Sequence, residues 1–181
     1  GYNSAKQVTS ITDTHGDVTT VAWGSNGYIT KITDPDGRTV SYGYTGSDLT
    51  STTDQLGRTT TYAYDTGHNL TSVTDPEGNT TRYGYDATDR LASITWADST
   101  TAKPAITRYT FTKDQSSDQK VKMTDQRGNP WNYTFDASGR LKSYLSPRSG
   151  NPETKAYNGN NSVTGYTTAQ GGTGTLSYDG Y

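Results

Sequence analysis

Carboxylates recur through this sequence at an almost fixed interval, and they are the first residues to test for chemistry. Asp13, Asp34, Asp54 and Asp75 are spaced 21, 20 and 21 residues apart, and Asp125 continues the column after a wider gap. Each follows a threonine and precedes a glycine: Thr12-Asp13-Thr14-His15-Gly16, Thr33-Asp34-Pro35-Asp36-Gly37, Thr53-Asp54-Gln55-Leu56-Gly57, Thr74-Asp75-Pro76-Glu77-Gly78 and Thr124-Asp125-Gln126-Arg127-Gly128. Calcium takes roughly six to eight oxygen ligands, and one Asp per repeat lacks the dense acidic spacing of a calcium loop. Turn capping explains the Asp, the Pro and the Gly together without any ion. Pro presets φ, the Asp side chain bonds its own backbone, and Gly accepts positive φ. The structural positions are therefore Asp34, Gly37, Asp54, Gly57, Asp75, Gly78, Asp125 and Gly128.

Two carboxylates could in principle hydrolyse a glycosidic bond. Asp34 with Asp36 and Asp75 with Glu77 are neighbours within turns, however, and a repeated unit offers many equivalent carboxylates and no privileged pair. His15 and His68 stand alone in expected loops, and no Gly-x-Ser-x-Gly or phosphate-loop motif occurs. The absence of cysteine removes disulfides and thiolate chemistry. The chain reads as no enzyme, with no catalytic residue, metal or cofactor.

Aromatic residues form a second column between the Asp turns: Tyr42-Gly43-Tyr44, Tyr62-Ala63-Tyr64, Tyr83-Gly84-Tyr85, Tyr109-Thr110-Phe111 and Tyr133-Thr134-Phe135. Each is followed by a small polar loop and, in four cases, by Leu49, Leu70, Leu91 or Leu141. The pattern fades but persists as Ala156-Tyr157-Asn158 and Ser177-Tyr178-Asp179. Sugars stack on exposed aromatic rings, and of the three tryptophans Trp96 is the candidate for ligand binding, because it replaces the turn Asp. Trp23 occupies a Tyr-like strand position, where packing is the default role.

The elements that must carry these columns are strands. Only 28% of the 181 residues are hydrophobic, which would barely fill an ordinary core, yet there are 15 Tyr, 3 Trp and 35 Thr. These residue types suit a pleated, half-buried surface. In Arg58-Thr59-Thr60-Thr61-Tyr62-Ala63-Tyr64, alternation sets Tyr62 and Tyr64 on one face and Thr61 and Ala63 on the other. The spacing predicts an all-β fold of tandem antiparallel hairpins, about 21 residues each, forming a curved or spiralling sheet. Lone hairpins are marginal in water, so stability should come from rows of aromatic residues meeting between successive repeats, as in solenoids. Regular repeats span residues 8–95, a repeat with loop insertions 96–124, a regular repeat 125–145 and degenerate repeats 146–181. The extra residues of the irregular repeat fall around Ala97–Ile106 and Lys113–Gln119. No capping unit is visible at either end, and the reading is a single repeat region from a longer protein.

Net charge is −2 with no run of like charge, so no basic stripe marks a nucleic-acid surface. No stretch approaches the roughly 20 apolar residues of a membrane helix.

Tyr64-Asp65, Tyr85-Asp86, Arg90-Leu91 and Thr74-Asp75-Pro76-Glu77-Gly78, with Phe135-Asp136-Ala137-Ser138-Gly139-Arg140-Leu141, resemble the YD/RHS repeat family over nearly the whole chain, weakly after about residue 146. The resemblance implies a spiralling sheet that closes into a hollow shell. In bacterial toxins that shell encloses a C-terminal effector, and in animal teneurins a similar barrel serves adhesion. It also implies a secreted or surface-displayed, most often bacterial, protein. The partners would be adjacent repeats and an enclosed effector of the same long chain. Alternatively, as a surface adhesion or carbohydrate-binding module, the chain would meet a cell-surface glycan or protein receptor. The core-domain motif and aspartyl protease that end many such shells have no counterpart in this sequence.

Overall fold

A computed structural model describes residues 1–113 and 118–178. Sixteen strands follow one another in hydrogen-bonding order along the chain and pair antiparallel. Two compact units are present, Gly1–Tyr83 and Gly84–Tyr181.

The first unit holds β1 (Ser10–Thr12), β2 (Val18–Trp23), β3 (Ile29–Thr33), β4 (Thr39–Thr45), β5 (Asp48–Thr53), β6 (Thr59–Tyr64), β7 (Leu70–Thr74) and the start of β8 (Thr80–Tyr85). The second continues with β9 (Leu91–Thr95), β10 (Ile106–Lys113), β11 (Gln119–Thr124), β12 (Pro130–Phe135), β13 (Leu141–Leu145), β14 (Glu153–Tyr157), β15 (Val163–Thr167) and β16 (Thr173–Thr175). This is the all-β run of tandem hairpins that the Thr- and Tyr-rich alternation predicts.

Almost nothing is buried. Among the described residues only Ala105, Thr107 and Asp118 are buried, and no large side chain is fully enclosed. A sandwich hides its apolar residues between two sheets about 10 Å apart. Here, those three apart, side chains are at most half-buried by neighbouring strands, on one face in some strands and on both faces in β5, β7 and β9. β6 shows the first case residue by residue: Thr60, Tyr62 and Tyr64 are half-buried, while Thr59, Thr61 and Ala63 are exposed. The half-buried face of the first unit carries rows such as Val21–Ile32–Val40 and Tyr62–Val73–Thr81. The opposite face carries Gly43–Ser51–Thr61–Thr74 and Ala63–Ser72–Arg82. The small residues between tyrosines fit that second face: a Cβ at Gly43 would run into the Ser51 hydroxyl.

The aromatic residues do not meet as the repeat spacing predicts. Tyr42 and Tyr62 lie on β4 and β6, and β5 runs between them. Tyr42 faces Thr52, Tyr62 faces Val73 and Tyr64 faces Leu70. In the second unit Phe111 faces Val121, which faces Tyr133, and Tyr109 faces Met123. Each repeat supplies two strands, so residues one repeat apart are separated by two inter-strand spacings of about 4.8 Å. Column rings one repeat apart alternate with aliphatic and threonine side chains instead of touching one another. The stacked ring pairs are Tyr28–Tyr44, with centroids 5.0 Å apart, and Tyr133–Tyr144, at 6.3 Å. Tyr28 and Tyr144 belong to neither expected column.

Candidate functional site

The carboxylates that open the sequence reading build the turns, and they build them all alike. At Asp13, Asp34, Asp54, Asp65, Asp75, Asp86, Asp125 and Asp136 the backbone N–H donates to the carbonyl four residues on, at 2.9–3.0 Å. The carbonyl of the same residue accepts the N–H three residues on, at 2.9–3.2 Å. The Oδ1 atom then accepts the N–H of the residue four places on, as Arg58, Asn69 and Arg140 donate to Asp54, Asp65 and Asp136. The residue at the third place must adopt positive φ, and it does so at Gly16, Gly37, Gly57, Gly78, Gly128 and Gly139, and also at His68 and Asp89. At these eight Asp positions the sequence reads as two kinds of loop and the backbone makes one; the β4–β5 turn at Gly46 is a shorter hairpin. Less regular stretches keep the Asp-type turn: Asn3, Asn158 and Thr168 replace the Asp with a neutral acceptor, and Lys6, Asn161 and Gly171 take the positive φ.

An antiparallel meander sends alternate turns to opposite ends of its strands. Within each unit the Thr-Asp turns therefore share one rim and the Tyr-Asp turns the other. At the Thr-Asp rim, the threonine before the turn pairs with the residue just after it, and the hydroxyls of Thr53 and Thr59, and of Thr74 and Thr80, meet at 2.9 Å. These hairpins run in perfect register. At the Tyr-Asp rim, β2–β3, β4–β5, β6–β7, β12–β13 and β14–β15 each shift register beside the aromatic residue that precedes the turn. Such a bulge leaves one residue unpaired and increases local twist.

Turn arginines are held by their own Asp. Arg38, Arg58, Arg90 and Arg140 place Nε 2.6–2.8 Å from the Oδ2 of Asp34, Asp54, Asp86 and Asp136. At the Tyr-Asp rim they also reach the next repeat. Arg90 lies 4.5 Å over the Phe111 ring, and Arg140 lies 4.9 Å over Tyr157 while donating to the Asn158 carbonyl and Asn161 Oδ1. His68 reaches the Asp48 carboxylate at 2.9 Å. Aromatic side chains make a further link: Trp23 donates to the Val8 carbonyl, Tyr157 to Leu141 and Tyr178 to Val163, all at 2.8 Å.

These contacts hold seven of the turn carboxylates below their usual range. For Asp54, Asp65 and Asp136 the largest cause is the backbone N–H of Arg58, Asn69 and Arg140. For Asp75, Asp86 and Asp125 it is the side chain of Asn79, Arg90 and Asn129. At Asp34 desolvation is the largest influence and pushes upward, and the backbone and guanidinium of Arg38 together outweigh it. All seven stay ionised and facing their own turns. No group of three or more His, Asp and Glu among the described residues is placed to hold a metal.

Trp96 is 39% exposed. It opens a longer loop, in which its backbone N–H donates to the Ala105 carbonyl and its indole Nε1 donates to Thr107 Oγ1 at 3.2 Å. Ala105 closes that loop by donating to Ser99 Oγ. The second expected insertion lies partly outside the described residues, at 114–117, as does Asp179. Sequence reasoning missed the paired threonines and the arginines that link turns. Their signal was present, since Thr precedes five of the eight turn Asp residues and Arg or Asn stands four places after seven of them.

The RHS Repeat family profile matches residues 2–39, 44–80 and 64–101, together more than half of the chain. No curated protein matches it. Among solved structures, it is similar to the Photorhabdus luminescens Tc holotoxin pore, with TM-score 0.57 and 13% identity over 93% of this chain and 12% of that one. It is also similar to the TcdB2–TccC3 complex without its hypervariable C-terminal region, with TM-score 0.58 and 13% identity over 92% of this chain and 12% of that one. At that identity the likeness is one of fold, and the chain spans about 12% of the length of those structures. With turn, strand and register repeating as they do, this chain belongs to the RHS repeat family.

Proposed function

We propose that this chain is a segment of a shell wall in a longer, secreted or surface-displayed bacterial protein, where it helps to enclose an effector region of the same polypeptide. One observation carries the reading: the described strands bury almost nothing, yet eight turns repeated along the chain are each closed by their own carboxylate. A fold of this kind contributes surface and rigidity, with few groups arranged for chemistry. Its half-buried face of Tyr, Val and Leu is available for contact with other parts of the same chain. Likeness to Tc toxin structures supports the shell geometry.

Limited proteolysis of the full-length protein tests this. A broad protease at neutral pH should leave a fragment beyond the repeats intact. The double variant Asp54→Ala/Asp75→Ala, which opens two adjacent turns on one rim, should make that fragment cleavable. Equal cleavage of wild type and variant from the first time point would refute enclosure.

A further inference from the structure

Two successive turns on one rim of the second unit, Asp125–Asn129 and the turn that starts at Ser146, flank an open groove of about 700 Å³. Its walls include Thr107, Asp125, Arg127, Asn129, Trp131 and Arg148. We infer that this groove docks an extended acidic segment of a separate protein, one in which two acidic residues bracket apolar ones.

Unpaired charge on the rim carries the inference. The place two residues after the turn Asp holds His15, Asp36, Leu56 and Glu77 in the first unit. In the second unit it holds Arg127, and Arg148 stands at the same place after Ser146. Other turn arginines stand four residues after the Asp and are held by its carboxylate. Arg127 and Arg148 are exposed, and neither guanidinium has an ion-pair or hydrogen-bond partner among the described residues. Asp125, the acid in the groove, is bonded within its own turn. It accepts the backbone N–H groups of Arg127 and Asn129 and, at 3.0 Å, the Asn129 Nδ2.

The equivalent groove of the first unit has the opposite character. Between the Asp54 and Asp75 turns it encloses about 270 Å³, its Arg58 is tied to Asp54, and it carries Glu77. Rim geometry alone therefore does not make a cationic groove; Arg127 and Arg148 do.

A guanidinium pairs a carboxylate through two parallel hydrogen bonds. Turns on one rim are two strand spacings apart, about 10 Å, which roughly three residues of extended chain cover. A segment lying across both turns presents one carboxylate to each arginine. Trp131 stands near the start of β12, which with β13 separates the two turns. It is half-buried and lines the groove, an apolar wall for the side chains between the two acids. Trp and Arg are also the residue types enriched where protein partners bind tightly. The rim lies at the ends of the hairpins, away from the edges along which further strands would pair, so a second protein reaches it without displacing a neighbour in the sheet. Two cations in a chain of net charge −2 do not form the basic stripe that a nucleic-acid backbone requires.

Calorimetric titration of the full-length protein with the capped hexapeptide Gly-Glu-Leu-Leu-Glu-Gly tests the groove. Binding is expected, and at least tenfold weaker binding of Gly-Gln-Leu-Leu-Gln-Gly, which keeps the apolar pair and loses both charges. The variant Arg127→Gln/Arg148→Gln should lose at least tenfold for the acidic peptide with an unchanged melting temperature, since neither side chain has a partner to lose. Arg58→Gln, in the first unit, should change the affinity less than twofold. The charge-reversed variant Arg127→Glu/Arg148→Glu should bind Gly-Lys-Leu-Leu-Lys-Gly in place of the acidic peptide. No heat with the acidic peptide at millimolar concentration, equal affinity for its Gln counterpart, or an equal loss in Arg58→Gln overturns the proposal. Tighter binding of a ten-base oligothymidine than of the peptide would overturn it in favour of nucleic acid. Enclosure of an effector is read by proteolysis and stands or falls separately.

Discussion

The two rims of each unit use the same turn for different ends. At the Thr-Asp rim of the first unit, contacts stay within a hairpin: the carboxylate binds its own loop, a threonine pair clasps the first rung, and register is unbroken. At the Tyr-Asp rim the same carboxylate closes the loop, but the neighbouring side chains reach outward. Arg140 spans to Asn158, Asn161 and Tyr157; Tyr157 bonds the Leu141 carbonyl; His68 bonds Asp48. One rim closes hairpins and the other joins them. A chain without a core needs both, because hairpins alone are marginal and repeat arrays take their stability from neighbouring units.

Acid should erase the distinction, and this is the largest effect expected. Seven turn carboxylates on both rims have folded-state values below the ordinary one. The stability they contribute is fully present above the unfolded value near 4 and is lost as pH falls through the lowered folded values. Thermal unfolding followed by circular dichroism should hold steady from pH 7 to about 5 and drop steeply between pH 4 and 2. A melting temperature unchanged at pH 2 would show that the carboxylates do not close the turns.

Next in size is the backbone. Gly57 adopts φ of +78° with open space around the missing Cβ, so Gly57→Ala meets only conformational strain. It should cost about 1–2 kcal/mol in urea unfolding. Gly139→Ala, at φ of +78° on the other rim, should cost a similar amount, and a twofold disparity would break the claim of one shared turn.

Arginine should separate the rims most sharply. Arg58→Ala removes contacts to Asp54 alone, whereas Arg140→Ala also removes the ring contact and two bonds to the next repeat. The Arg140 variant should be less stable than the Arg58 variant by about 1 kcal/mol. Equal urea midpoints would mean that the links between turns carry no energy.

The threonine clasp should give the smallest change. Thr74→Val/Thr80→Val removes both hydroxyls while keeping their shape, and replacing both partners of a hydrogen bond is often close to neutral. A shift within about 0.5 kcal/mol is expected. A single Thr74→Val change, which leaves Thr80 without its partner, should cost more than the pair.

Much of the turn chemistry was legible in sequence because it is local. Asp, positive-φ Gly and the residue four places on lie within five consecutive positions, so pattern alone identifies Asp34, Asp54, Asp75 and Asp125. The aromatic columns were legible as columns and misjudged as contacts. Periodicity reports which residues are equivalent, whereas contact depends on which strand intervenes, and β5 stands between Tyr42 and Tyr62. The groove at Arg127 and Arg148 was invisible for a related reason. The two residues lie 21 positions apart, and each looks like an ordinary exposed turn residue until β12 and β13 bring their turns to one rim.

The order of residues along the chain therefore determined the strands, the turns and the repeating unit, since each depends on alternation and backbone preference within a dozen positions. Tertiary structure alone decided that two kinds of loop share one backbone, that rings face aliphatic residues, and that one rim links successive repeats. Those outcomes follow from cross-strand register, and register is fixed only when bulge, turn and neighbouring strand act together.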